Sequence, residues 1–248
     1  MQAPLLEIFS SVQGEGPLVG CRQLFIRLAG CNLNCSYCDT PITVGEKGCR
    51  VEIATGSSKF EYLPWPLNIN DAITYIHKNF NLNNHHSVCI TGGEPLIHHQ
   101  LLSKMLPMLA GTKKGIFLET NGTLPEELHQ VIDHIDFISM DIKLPSAANI
   151  KPCWGLHRKF LQMALTKSLY IYVKVVLSDK TTHEELNEVY QLLQEEAPGV
   201  TLVMQPVTPF NGVNSPGVKK LMLWQAQALQ HLDDVRIIPQ THRTMGIL

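Results

Sequence analysis

Apolar positions along the chain fall into short runs with polar breaks between them. Segments 23–28, 87–90, 115–118, 137–140, 169–177, 201–204 and 235–238 are apolar or β-branched and short, as buried strands are. Between most of them the spacing changes to a helical period, over 71–80, 100–109, 126–133, 182–195 and 218–231. Pro107 disturbs the last turn of the second helical segment. Thr182 and Glu185 form a capping box that opens the fourth. Pro239 stops the final strand. This alternation predicts an α/β fold with a parallel sheet and right-handed crossovers. The length suits one domain over 1–248. Two stretches break the rhythm. Segment 41–66, with Gly, Pro and charges, reads as an irregular insertion over the site. In 144–168, Pro145, Pro152 and Trp154-Gly155 point to a loop before a helix.

Polar and glycine-rich groups end strand after strand: Gly30-Cys31-Asn32, Thr91-Gly92-Gly93-Glu94, Glu119-Thr120-Asn121-Gly122, Asp141-Ile142-Lys143 and Gln205-Pro206. Chemistry in parallel α/β folds collects at the carboxyl ends of strands. One site in a closed or partly closed barrel is therefore expected.

Composition narrows the classes. Apolar residues at 44% and charged residues at 17% are ordinary for a globular protein. A net charge of −2 and the lack of a basic run exclude nucleic acid as a partner. The most apolar stretch, 170–177, carries Lys174 and is far too short to cross a bilayer, so no membrane association is expected. The N-terminus lacks a basic n-region and an apolar h-region, which makes the cytoplasm the expected compartment.

Three of the seven cysteines, Cys31, Cys35 and Cys38, fall within eight residues. Such clustering favours metal or cluster ligation over a disulfide framework. Thiolates suit iron–sulfur clusters and zinc alike, and Cys49 is available as a fourth zinc ligand. A cubane held by three cysteines leaves one iron open to a further ligand. Asn32, Asn34 and Asp39 are turn formers that help the loop bend. Cys21, Cys89 and Cys153 read as structural thiols.

Cys31-Asn32-Leu33-Asn34-Cys35-Ser36-Tyr37-Cys38 resembles the C-x3-C-x2-C signature of the radical SAM superfamily, with an aromatic residue before the last cysteine. Thr91-Gly92-Gly93-Glu94-Pro95 resembles its SAM-binding glycine-rich element. Glycines admit a ligand close to the backbone, and a carboxylate can meet an ammonium. Segment 7–16, ending in Gln13-Gly14-Glu15-Gly16, together with Arg27 and Cys38-Asp39-Thr40, resembles the 7-carboxy-7-deazaguanine synthase family.

The resemblance implies a partial (β/α) barrel of the radical SAM type, with the cluster at the strand carboxyl ends. It implies a [4Fe–4S] cluster on Cys31, Cys35 and Cys38, S-adenosyl-L-methionine (SAM), and Mg2+ at Thr40. The implied substrate is 6-carboxy-5,6,7,8-tetrahydropterin. A 5′-deoxyadenosyl radical would abstract hydrogen at C6, the ring would contract with loss of ammonia, and SAM would be regenerated. Val12, Gln13, Gly14, Glu15, Arg27, Gly92, Glu119 and Asn121 are expected at the substrate, with Arg27 clamping its carboxylate. Tyr37, Cys38, Asp39, Gly93, Glu94, Ser139, Asp141, Lys143 and Gln205 are expected at SAM. Lys174 and His242 are further candidates. A flavodoxin-like electron donor and a homodimer are implied by the resemblance alone.

For Arg27 and for Asp141 with Lys143, the residues by themselves also allow internal ion pairs; for Thr40 they allow a turn cap. The pairs His85-His86 and His98-His99 read as solvated surface. A glycyl-radical activase and a non-enzymatic zinc or electron-transfer protein are the competing readings.

Overall fold

A computed structural model describes residues 2–40 and 42–247. Strand β1 (Leu5–Val12) runs antiparallel to β2 (Arg22–Leu28). Segment 41–66 is not irregular throughout: β3 (Cys49–Glu52) and β4 (Phe60–Leu63) make a hairpin that adds to the sheet beside β1. Its strand pattern is masked because Glu52 occupies a buried position. There Glu52 accepts hydrogen bonds from the Ser10 N–H (3.1 Å) and the Ser58 N–H (3.3 Å).

From here the chain follows the predicted alternation. Helix α1 (Ile69–Asn79), capped by the Asn68 side chain, buries Ile69, Ala72, Ile73 and Ile76 at helical spacing and leads to β5 (Ser87–Gly92). Helix α2 (His99–Met105) tightens into a 3-10 turn where Pro107 enters, before β6 (Ile116–Thr120). The helix expected over 126–133 is shorter. Helix α3 (Pro125–His129) ends early, Val131 leaves helical geometry at φ −127°, and a separate turn covers Ile132–His134 before β7 (Phe137–Ile142).

Between β7 and the next strand lie α4 (Pro145–Ala148) and α5 (Trp154–Ala164). Strand β8 (Tyr170–Leu177) precedes α6 (His183–Glu196), where the Thr182–Glu185 capping box is present. After β9 (Thr201–Pro206), α7 (Val218–Ala228) is three residues shorter than its apolar spacing suggests. The chain closes with β10 (Val235–Ile237) and the short α8 (Thr241–Met245).

Among the described residues ten strands form one sheet in the order β10-β9-β8-β7-β6-β5-β2-β1-β3-β4. The run from β2 to β10 is parallel throughout; only the β1–β2 and β3–β4 pairs are antiparallel. One sheet face packs under the helices through Leu24, Ile26, Ile90, Leu118 and Ile138. The other carries Phe9, Phe25, Phe117 and Tyr172. The sheet stays open between β10 and β4, the geometry of a partial barrel.

The histidine pairs are not solvated surface. His85 is 1% exposed, bonded at Nε2 to Ser10 Oγ (2.8 Å) and at Nδ1 to the Asn81 carbonyl (3.0 Å). His86 is tilted against Phe137, and His98 donates from Nε2 to the Ala29 carbonyl at 2.7 Å. His85 and His98 thereby satisfy polar groups that burial would otherwise leave without a partner.

Candidate active site

The sheet register builds the site. Glu7 on β1 lies opposite Arg27 on β2 and beside Arg50 on β3. Arg27 is in register with Thr91 on β5, and Glu119 on β6 with Ser139 on β7. Thr91 Oγ1 donates to Glu119 Oε2 at 2.7 Å, joining the two halves. A polar rung thus crosses the sheet, and Glu7, Arg27, Thr91, Glu119 and Ser139 all line one cleft of about 870 Å³. A shallower hollow of about 550 Å³ between the end of α1 and Gly111 lies apart from this chemistry.

Cys31, Cys35 and Cys38 occupy the loop after β2 and line the same cleft. Backbone bonds zip that loop to the end of β5: Glu94 N–H to the Gly30 carbonyl (2.9 Å) and Gly93 N–H to the Leu28 carbonyl (3.4 Å). Only glycine fits the crossing, because a Cβ on Gly93 would stand 2.1 Å from the Gly30 carbonyl oxygen. Asn121 Nδ2 donates to Asn32 Oδ1, and Asn32 Nδ2 donates to Thr123 Oγ1, both at 2.8 Å. The far end is held by the Ser36 N–H and hydroxyl on the Ala148 and Ala147 carbonyls. Burial pushes the Cys35 thiol up to about 11 and raises Cys31. Binding to iron must therefore displace protons.

All three thiols are free, and no three His, Cys, Asp or Glu among the described residues gather into a single-ion site. Cys49 cannot complete a zinc set with them. It is fully buried in the core on β3, its thiol pushed up to about 12 by burial. The triad's soft donors and its place on an open cleft fit a cluster held by three cysteines.

Among the groups predicted at SAM, two have a carbonyl or carboxylate oxygen without a hydrogen-bond partner among the described residues. Asp141 Oδ1 and Gln205 Oε1 are buried at the cleft wall. Ser139, Tyr37 and Lys143 stand beside them, with the Lys143 ammonium 5.3 Å from the Tyr37 ring centroid. Buried orphan acceptors next to a glycine-lined edge at Gly92 and Gly93 suit a ligand rich in N–H and O–H donors such as SAM.

Glu94 departs from expectation. Its carboxylate is wholly buried and turned away from the cleft. It accepts from the Leu96 N–H (3.0 Å), the Asn121 N–H (2.7 Å) and Thr120 Oγ1 (3.0 Å to each oxygen). Burial pushes it up to about 7 despite those donors. Main-chain N–H groups after β5 and β6 need an acceptor there, and Glu94 serves them.

A chain of charges runs along the floor. Lys143 Nζ lies 2.9 Å from Asp141 Oδ2, Lys174 Nζ lies 3.3 Å from the same oxygen, and Lys174 also pairs with Glu15 Oε2. Glu15 Oε1 accepts from Gln240 Nε2 at 2.7 Å. Burial alone would raise the Glu15 carboxyl, but Lys174 and its hydrogen bonds bring it to about 2. Burial opposes the charge on Lys174 too, and Glu15 with Asp141 raises its pKa instead.

Gln13 is 2% exposed and its amide is fully engaged. Nε2 donates to Gln23 Oε1 (3.0 Å) and Glu119 Oε1 (2.9 Å), while Oε1 accepts from the Glu15 N–H (2.9 Å). Gln13 therefore shapes the loop. Val12, Gly14 and Glu15 line the cleft with it. Asn121 is spent on Asn32 and Thr123, clamping the cluster loop. Arg27 is anchored at Nε by Glu7 Oε2 (3.0 Å), which leaves the other edge of its guanidinium without a protein hydrogen bond among the described residues. Thr40 Oγ1 and Asp39 Oδ1, 3.5 Å apart, stand at the rim as two neighbouring oxygen donors, too few for a magnesium ion without substrate or water.

Apart from His242, several lining groups were not singled out in the sequence. The segment after β10 crosses the cleft: Thr241 N–H and hydroxyl both reach the Gly14 carbonyl, His242 packs on Gly14, and Arg243 pairs with Asp39. Phe9 and Phe25 stack at 5.0 Å on the cleft side of β1 and β2. Glu7 and Phe9 share a face of β1 two residues apart, in a segment whose apolar and polar positions do not alternate; nothing local points from residue 240 to residue 15.

The model of the radical SAM superfamily matches residues 25–195. The 7-carboxy-7-deazaguanine synthase of Geobacter sulfurreducens is 40% identical over 99% of this chain and 98% of its own. That of Methanocaldococcus jannaschii is 34% identical over 98% and 99%. Among solved structures, "Crystal structure of QueE from Escherichia coli" superposes with TM-score 0.59 at 20% identity, covering 95% of this chain and 93% of that one. "Native anSMEcpe with bound AdoMet" gives TM-score 0.53 at 16% identity over 88% and 65%. At such identities these two likenesses concern the fold.

Proposed function

The chain belongs to the 7-carboxy-7-deazaguanine synthases of the radical SAM superfamily, and from that membership we propose how its cleft is used. The enzyme converts 6-carboxy-5,6,7,8-tetrahydropterin to 7-carboxy-7-deazaguanine, with ring contraction and loss of ammonia, in 7-deazapurine biosynthesis. Its cofactors are a [4Fe–4S] cluster and SAM, which together supply the radical that takes hydrogen from the substrate.

Cys31, Cys35 and Cys38 hold the cluster, and the observation that carries this reading is their opening onto the cleft that Arg27 and Glu15 also line. Asp141, Gln205, Ser139, Lys143, Tyr37, Asp39 and the Gly93 backbone take SAM. Glu94 keeps that edge in shape from behind. Arg27 receives the pterin carboxylate on its free edge, while Glu15, held by Lys174 and Gln240, meets donors on the ring. Val12, Gly14, Gly92 and Glu119 complete the substrate wall, with Gln13 and Asn121 orienting their neighbours. Thr40 contributes an oxygen to Mg2+, whose other ligands are substrate and water. The segment 240–243 closes the cleft and excludes water. One continuous sheet through the described residues supports one domain. No helix among them is long and apolar enough to cross a membrane. A flavodoxin-like donor, a homodimer and a cytoplasmic location complete the proposal.

The test is anaerobic reconstitution of the wild type and of Cys31→Ala, Cys35→Ala and Cys38→Ala. Iron, sulfide and visible absorbance should report a cluster in the wild type alone, and only it should cleave SAM under reduction. Zinc without iron in the wild type would contradict the reading. Turnover that ignores Mg2+ would remove the role of Thr40.

A further inference from the structure

The hairpin β3–β4 supplies a residue to the site without entering it. Arg50 does not line the cleft, yet its Nη2 lies 2.6 Å from Glu7 Oε1, on the carboxylate whose Oε2 holds Arg27 Nε. The arrangement is built into the sheet, since Arg27, Glu7 and Arg50 are register partners on β2, β1 and β3. Arg50 is in turn seated on the Phe60 ring of β4, 4.1 Å from its centroid. Side-chain exposures of 21% for Arg27, 17% for Glu7 and 33% for Arg50 put the pair at the cleft in a drier setting than its brace.

Two consequences follow. One carboxylate between two guanidiniums leaves the trio with an excess positive charge, so a second anion completes it. A Glu7 free of Arg50 could also offer both oxygens to Arg27 and take up the fork that a ligand carboxylate needs. With Oε1 held by Arg50, Glu7 engages Arg27 through Nε, and the paired Nη edge is left for a ligand.

We infer that Arg50, seated on Phe60, is a positioning residue that acts through Glu7 to present Arg27, and so sets this enzyme's selectivity for a carboxylated pterin. The inference rests on the proposed role of Arg27 and assigns a task to the hairpin that reads as an irregular insertion in the sequence.

The test uses the cluster-loaded, SAM-bound enzyme and two stable probes, 6-carboxypterin and pterin without the carboxyl group, with affinities read by calorimetry. Arg50→Gln should weaken 6-carboxypterin by about tenfold, the scale of one charge-assisted hydrogen bond. It should leave unsubstituted pterin and SAM within about twofold. Arg50→Lys should recover part of the loss. Phe60→Leu, which keeps every charge, should show the same selective loss at smaller size and covers the case that Arg50→Gln folds poorly. Equal weakening of both pterins, or of neither, would overturn the inference. Arg27→Gln separates the two layers. If Arg27→Gln shows selective loss and Arg50→Gln does not, the brace alone fails. If Arg27→Gln shows no selective loss, the carboxylate clamp itself is wrong.

Discussion

Lys174 is the point where Glu15 and Asp141, on the proposed substrate and SAM sides of the cleft, share a charge, and Lys174→Met removes it at nearly constant volume. In the wild type its ammonium faces Glu15 and Asp141, and these side chains are only 12% to 16% exposed. Removing one partner of a buried ion pair costs about 3–5 kcal/mol. A second route gives a similar figure. The fall of the Glu15 carboxyl from 4.5 to about 2 corresponds to roughly 3 kcal/mol, at about 1.4 kcal/mol per tenfold change. Asp141 keeps Lys143 at 2.9 Å, so its loss is the smaller part. We expect Lys174→Met to lower unfolding free energy by about 3 kcal/mol at pH 7, measured by urea denaturation. The folded-state value of Glu15 lies below its unfolded one. Its stabilisation is therefore whole above pH 4.5 and drains away as pH falls toward 2. The gap between wild type and variant should narrow over that window. Glu15→Gln in the Lys174→Met background should restore part of the loss, because it removes the unpaired charge. A loss under about 1 kcal/mol at pH 7, or a gap that does not change between pH 5 and 2, would refute the reasoning.

Gly93→Ala forces a Cβ to within 2.1 Å of the Gly30 carbonyl oxygen and 2.8 Å of Cys31 Cβ. It should reduce cluster retention after reconstitution, read as iron per chain, with the sheet's circular dichroism preserved. Gly14→Ala would place a Cβ 2.2 Å from His242 Nδ1 and 2.6 Å from His242 Cβ. It should expel the segment after β10, raising its cleavage by carboxypeptidase and lowering kcat/KM by about tenfold or more. Asn121→Ala removes both the Asn32 and the Thr123 contacts and should speed cluster loss in air several-fold, while Asn121→Asp keeps the Thr123 bonds and loses the donor to Asn32. Cluster lifetime in Asn121→Asp should then fall between those of the wild type and Asn121→Ala.

What could be read from the sequence follows from how local each signal is. The cysteine loop, the glycine pair at the end of β5 and the other strand ends are contiguous motifs, and each lies where a parallel sheet gathers its polar ends. The β3–β4 hairpin was hidden because Glu52 sits at a buried strand position that periodicity assigns to apolar residues. The burial of Glu94 is hidden for a related reason. A carboxylate after two glycines invites a ligand, but three backbone and hydroxyl donors converge on it inside the fold. His85 reads as surface beside His86, yet the distant Ser10 and the carbonyl of Asn81, four residues back, hold it buried. Gln240 and Arg243 reach Glu15 and Asp39 across more than 200 residues, a pairing that only the folded chain displays.

The central claim is tested most directly by turnover. Anaerobically reconstituted, reduced protein is given SAM, Mg2+ and 6-carboxytetrahydropterin, and 7-carboxy-7-deazaguanine and remaining SAM are quantified by mass spectrometry. The account predicts deazapurine in many-fold excess over any SAM consumed. Cleavage of SAM with no deazapurine would contradict the substrate assignment and the roles given to Arg27 and Glu15.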